Sequence, residues 1–166
     1  AYTLWRAARD GGSRYLRQRL GFGLPSGPFP LWVHCASVGE VQAAAPLVAA
    51  LASRVDGQVL VTTNTPTGAA VAARELAGDV RHAYLPLDNP GAVRRFLDRA
   101  QPACGLVLET EIWPNLFAAC SERGVPLAIV NGRLSPRTLK APGWVRRAFG
   151  EALVAVSLCV ARSETD

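Results

Sequence analysis

The sequence predicts an α/β fold in which a parallel sheet is covered by helices on both faces. Short apolar runs alternate with helix-like segments from residue 31 onward, and strands joined by helical crossovers pair in parallel with right-handed connections. The strand-like runs are almost continuously apolar rather than alternating, which suits a sheet buried on both faces. The chain has 166 residues, 49% hydrophobic and 19% charged. That length fits one domain with a sizeable core, and that composition argues against disorder.

The elements follow in order. Residues 1–20 read as a basic amphipathic helix with Trp5, Leu16 and Leu20 as apolar anchors. Gly21 to Pro30 is a Gly/Pro-rich linker with no regular structure. Strands are expected at Trp32–Ala36, Gln58–Thr62, Val80–Leu85, Cys104–Leu108 and Leu127–Val130, with a sixth candidate at Val154–Val160. Helices are expected between them at Val41–Arg54, Pro66–Ala77, Gly91–Ala100 and Trp113–Arg123, followed by a more basic helical region at Pro136–Ala152. Pro46 falls inside the first of these and should kink it or shift its start. The organisation is therefore a basic helix and linker over residues 1–30 and an α/β domain over 31–166. The first residues, without an initiator Met, read as the tail of something longer. The chain stops directly after the last apolar run, which reads as an interdomain boundary.

No apolar run reaches the roughly 18 residues that a membrane span needs, and no complete signal peptide is visible. Cys35, Cys104, Cys120 and Cys159 lie in apolar surroundings without a Cys-x-x-Cys pair, so free thiols in a reducing compartment are expected. His34 and His82 stand singly inside strand-like runs, and no metal site is expected. The net charge of +5 is unevenly spread. Arg6, Arg9, Arg14, Arg17 and Arg19 face only Asp10 near the start, and Arg133, Arg137, Lys140, Arg146 and Arg147 cluster without an acid later on. Two basic ends suit an anionic membrane surface or a phosphorylated substrate; ordinary solvated surface is the alternative. Nucleic acid is not expected, because stacking aromatics are not interleaved with these charges.

Four turns at strand ends carry polar chemistry. Ser37-Val38-Gly39-Glu40 follows the first strand. As local structure it is a capping box, Ser37 capping a helix and Glu40 reaching back to the Ser37 amide. As a site, Gly39 lets a ligand approach the backbone, and helix amides present positive charge beside a carboxylate. Thr62-Thr63-Asn64-Thr65-Pro66-Thr67-Gly68 follows the second strand; Thr65 caps a helix begun by Pro66, and the surplus hydroxyls, Thr63 among them, suit a sugar. Glu109-Thr110-Glu111-Ile112-Trp113-Pro114-Asn115 follows the fourth strand. Its acids favour a helix dipole, and its Trp beside carboxylates suits a sugar ring. Asn131-Gly132-Arg133-Leu134-Ser135 follows the fifth strand, where Arg133 can clamp a phosphate or carboxylate or serve as a surface arginine. In the usual doubly wound order the first and fourth strands are neighbours at the switch point, so Glu40 and Glu109 should line one crevice.

These motifs, together with Leu85-Pro86-Leu87-Asp88, closely resemble in order the N-terminal domain of the Kdo transferases, which add 3-deoxy-D-manno-octulosonic acid to lipid A precursor. The likeness covers nearly the whole chain, and Ser-Val-Gly-Glu with Glu-Thr-Glu-x-Trp-Pro-Asn is a specific combination. The resemblance implies a GT-B glycosyltransferase built of two Rossmann-like domains facing a cleft, with this chain as the acceptor half and a C-terminal donor domain for CMP-Kdo absent from it. It implies inverting, metal-independent transfer with no cofactor, CMP-Kdo being a substrate. Glu40 matches the family's proposed general base and Glu109 another important acid. On the acceptor side the resemblance and the residue chemistry together single out Ser37, Gly39, Thr63, Thr65, Glu111, Trp113, Asn115, Asn131 and Arg133. The family usually carries an N-terminal membrane anchor, of which residues 1–8 look like the trimmed end, and works at the cytoplasmic face of the inner membrane. Alone, the chain should not catalyse transfer. The alternatives are another GT-B nucleotide-sugar enzyme such as an epimerase, or a non-catalytic domain that binds membrane surfaces.

Overall fold

The computed structural model describes residues 2–163 except 77, 79, 110 and 133–141, with backbone alone for 2–9 and 144. Its elements are α1 (Tyr2–Arg19), β1 (Leu31–His34), α2 (Val38–Ala52), β2 (Val59–Thr63), α3 (Pro66–Glu75), β3 (Val80–Tyr84), α4 (Pro90–Ala100), β4 (Gly105–Leu108), α5 (Pro114–Glu122), β5 (Leu127–Gly132), α6 (Gly143–Val154) and β6 (Val156–Ala161). All six strands form one parallel sheet in the order β3-β2-β1-β4-β5-β6. The expected strands lie within about two residues of the observed ones, and the sixth candidate is a strand.

Alternation along the strands divides the core in two. Trp32 and Leu60 point to the face covered by Val93, Phe96 and Leu97 of α4 and Leu116, Phe117 and Cys120 of α5. Leu31, Val33, Val59 and Val61 point to the other face, under Val41, Ala44 and Val48 of α2 and Val71 and Ala72 of α3. Trp32 has no exposure, and its ring lies against β4 at Gly105, where an added Cβ would come within 2.7 Å of it. Val38 opens α2, so Pro46 does not shift the start of that helix. Pro46 is solvent-exposed, and the carbonyl that lacks its amide can take a hydrogen bond from water.

The first helix does not dock through its leucines. Leu16 and Leu20 are half exposed, whereas Tyr15, Gln18 and Arg19 are buried. The reason is that α1 covers the free edge of β3. Arg14 donates to the carbonyl of His82, and Gln18 Oε1 accepts from the amide of Tyr84. His82 and Tyr84 are two apart on an edge strand, so both offer unpaired backbone groups outward, and polar side chains rather than leucines meet that demand. Tyr15 packs edge-on against Tyr84 with ring centroids 4.8 Å apart. The linker after α1 is irregular as expected, but it buries Leu24 and Phe29. The side chain of Trp5 and the front of the expected helix Pro136–Ala152 lie outside the described residues.

Candidate functional site

The strand order places β1 beside β4, the point where the direction of winding reverses, and the turns after both strands open on the same edge. β1 ends at His34 and the chain turns through Ala36 into α2. Ser37 is the N-cap, in extended conformation, and its hydroxyl accepts from the Glu40 amide at 3.4 Å. The carboxylate of Glu40 does not reach the Ser37 amide. Its Oε2 accepts from the Ala36 amide at 2.8 Å, and its Oε1 accepts from the Ser37 hydroxyl at 2.8 Å. The capping box is thus displaced by one residue, and the carboxylate is clasped from both sides. Glu40 is 6% exposed. Burial raises its pKa above the ordinary carboxylate value; the Ser37 and Ala36 hydrogen bonds and His34 pull it back, and Glu111 pushes it further up. The neighbouring Cys35 thiol is pushed up to about 12 by burial and by Glu40. Nothing lies within 4 Å of where a Cβ on Gly39 would stand, so the fold leaves open space over the start of α2.

The structure brings a second acid, Glu111, into this cluster. Glu109 follows β4 with φ 56°, a left-handed conformation that costs a non-glycine residue about 1–3 kcal/mol, and its amide is spent on the Val130 carbonyl. That turn takes the chain out of the sheet, and two residues on Glu111 Oε2 lies 3.9 Å from His34 Nε2. Asn131, one strand over, has φ 58° at an irregularity in the β5–β6 pairing. Strain is thereby gathered at adjacent strand ends, where a ligand site often holds it.

His34 has no exposure. Its Nδ1 lies 2.9 Å from the Thr62 hydroxyl and 3.1 Å from the Thr62 carbonyl, and the same hydroxyl accepts from Trp32 Nε1 at 2.8 Å. Three buried side-chain nitrogens lack a hydrogen-bond partner among the described residues: His34 Nε2, Trp113 Nε1 and Arg19 Nε. Two of them, on rings 6.4 Å apart and edge to face, belong to this crevice. An unpartnered buried polar atom is costly.

Other expected acceptor-side residues make contacts within the fold. Thr63 is fully buried, its hydroxyl donating to the Thr65 carbonyl and lying 2.9 Å from His82 Nε2; burial and Arg14 lower the His82 pKa to about 4. Thr65 caps α3 by accepting from the Gly68 amide. Trp113 is half buried against the core under α4 and α5. Asn115 is tied to Asp88 through three hydrogen bonds and borders a hollow between α4 and α5 with Arg94 and Arg123. Asp88 also accepts from the Leu116 amide, so it caps α5 in place of Trp113, which makes no side-chain cap. Arg133 lies outside the described residues. The residues that sequence reading missed are His34, Asn64 and Arg19 in the crevice, and Asp88 beside it. His34 and Asn64 each stand at a strand end, and Asn64 and Asp88 fall inside motifs quoted from the sequence without being given a role. Among the described residues no group of three or more His, Cys, Asp and Glu is placed to hold a metal, and no helix is long and apolar enough to cross a membrane.

Comparison with known proteins gives a consistent result. The family model described as 3-deoxy-D-manno-octulosonic-acid transferase (kdotransferase) matches residues 14–166. A 3-deoxy-D-manno-octulosonic acid transferase of Bordetella pertussis is 42% identical over 98% of this chain and 41% of its own length. One of the same name from Haemophilus influenzae is 39% identical over 89% of the chain and 35% of its own length. A probable mitochondrial 3-deoxy-D-manno-octulosonic acid transferase of Arabidopsis thaliana is 36% identical over 82% of the chain and 31% of its own length. The chain therefore spans about two-fifths or less of the length of these relatives.

Proposed function

This chain belongs to the 3-deoxy-D-manno-octulosonic-acid transferase family, and on that premise we propose that it is the acceptor-binding half of an inverting glycosyltransferase that moves Kdo from CMP-Kdo to a lipid A precursor. The observation that carries this is the clasped, buried carboxylate of Glu40 at the switch point, beside open space over Gly39. An acceptor hydroxyl is a weak nucleophile and attacks better when a base takes its proton. A carboxylate with a raised pKa is a stronger base than an ordinary one. Attack of the hydroxyl on the anomeric carbon, with departure of CMP from the opposite face, inverts that centre without a covalent enzyme intermediate. Glu40 takes the proton, and Ser37 and the Ala36 amide hold its carboxylate in place. Donor binding is assigned to the part of the relatives' length that this chain does not span, so the chain alone binds acceptor without transferring to it.

The membrane role rests on a surface. Leu16, Leu20 and Phe22 are each about half exposed, with Arg17 adjoining in sequence and Arg95 4.4 Å over the Phe22 ring. Apolar side chains ringed by arginines suit the cytoplasmic face of an anionic inner membrane, where the lipid acceptor resides. The deciding experiment is transfer from CMP-Kdo to lipid A precursor by the complete enzyme carrying Glu40→Gln. A loss of about 100-fold or more in turnover, the usual size of a general-base contribution, is expected with folding intact. Turnover near that of the parent enzyme would remove Glu40 from the role of base.

A further inference from the structure

We infer that Asn64 is a positioning residue for the acidic crevice, its side-chain amide holding Glu111 beside His34 and Glu40 while Arg19 of α1 fixes the orientation of that amide. The inference rests on the acceptor-site reading above and adds a residue and a connection to it. Asn64 follows β2 and uses every polar group it has. Its backbone amide donates to the Ala36 carbonyl at 3.2 Å, and the amide of that same Ala36 holds Glu40 Oε2. Its carbonyl lies 3.5 Å from the Tyr15 hydroxyl. Its Oδ1 accepts from Arg19 Nη1 at 2.9 Å, and its Nδ2 donates to Glu111 Oε2 at 3.2 Å.

The orientation of the amide is not arbitrary. A guanidinium only donates, so the oxygen must face Arg19 and the NH2 must face Glu111. Arg19 is 6% exposed and held in turn by the Leu85 carbonyl, so it is a fixed reference rather than a mobile surface charge. One side chain therefore supports both acids of the crevice, Glu111 directly and Glu40 through a single shared residue. The consequence is that α1, which sequence spacing treats as a peripheral basic helix, sets geometry and charge at the site. The groups facing Glu40 and Asn64 are Arg19 and Tyr15 from α1, His34 and Cys35 at the end of β1, Ser37 at the start of α2, and Glu111 after β4.

The test has two parts. Thermal unfolding of this chain is measured for Asn64→Asp, Glu111→Gln and the double variant. Aspartate keeps the shape and the Arg19 contact but sets a carboxylate against Glu111. The single Asn64→Asp change is expected to lower Tm by several degrees. Adding Glu111→Gln, which supplies an NH2 able to donate to the new carboxylate, is expected to recover most of that loss. Additive losses would overturn the inference. In the complete transferase, Asn64→Asp and Arg19→Met each leave Glu40 in a more negative surrounding, which stabilises its protonated form. Both should lower kcat on the order of 10- to 100-fold, the size expected when a catalytic group is misplaced, with the donor KM unchanged. Both should also move the acid limb of the kcat profile to higher pH, while Arg19→Lys stays close to the parent. A parent pH profile in both variants would reduce Asn64 to a structural residue and overturn the inference. If the parent enzyme transferred no Kdo at all, the proposed function would fall, and the unfolding cycle would still decide whether Asn64 holds Glu111.

Discussion

Replacing Glu40 separates its two roles. Glu40→Ala removes the acceptor of the Ala36 amide and of the Ser37 hydroxyl, both at 2.8 Å. A hydrogen bond to a charged group contributes about 1.5–3 kcal/mol, and an orphaned buried amide adds cost. Against this, the variant no longer buries a carboxylate, so a net loss of about 2 kcal/mol is expected, or about 4–8 °C in Tm for a domain of this size. Glu40→Gln keeps an oxygen for the Ala36 amide and offers its NH2 to the Ser37 oxygen, so the loss should stay under about 1 kcal/mol at neutral pH. The pH dependence gives the sharper readout. Burial raises the folded-state pKa of Glu40 above its unfolded value, so the folded state holds its proton more tightly. The contribution is full below the unfolded pKa and is lost as pH rises through the raised value. Glu40→Gln removes that slope, so its stability relative to the parent should improve from about pH 4 to about pH 7. Urea unfolding at both values measures it. A Gln variant that loses as much as the Ala variant, or that falls further behind as pH rises, would refute the clasp and its electrostatics together.

Three further outcomes follow from the packing. Gly105→Ala should cost about 1–3 kcal/mol in urea unfolding, because its Cβ would stand 2.6 Å from Leu127 Cδ2 and 2.7 Å from Trp32 Cε3; an unchanged midpoint would mean that Trp32 does not lie on β4. Asp88→Ala should lower stability by about 1–2 kcal/mol, the scale of a lost N-cap, since it frees the Asn115 and Leu116 amides, and protection of those amides in hydrogen exchange should fall with it. Exposed Cys159 should react with a thiol reagent in the folded chain, while buried Cys35 and Cys120, both pushed up to about 12 by burial, should react only on unfolding.

What the sequence revealed and what it hid divide along the range of the interactions. Apolar runs and caps are local, so the strands, the helix starts at Ser37 and Thr65, and the parallel order with β1 beside β4 could all be read directly. The order in turn placed an acid after β4 opposite Glu40. That Glu111 reaches His34 follows a left-handed turn at Glu109, a choice made by the surrounding packing and not by residue type. The way α1 packs on the domain was hidden for a related reason: the edge of β3 needs hydrogen bonds, which Arg14 and Gln18 supply across 66–68 residues. His34, Asn64 and Arg19 were hidden in the same way, because their partners lie 28 to 77 residues away. The Ser37–Glu40 turn joins both scales. Its serine obeys the local capping rule, while its glutamate abandons the expected Ser37 amide for that of Ala36, the residue whose carbonyl is held by Asn64. Cap and base are then one arrangement. The bonds that start α2 also hold a buried carboxylate still, with its charge set by residues drawn from several other segments of the chain.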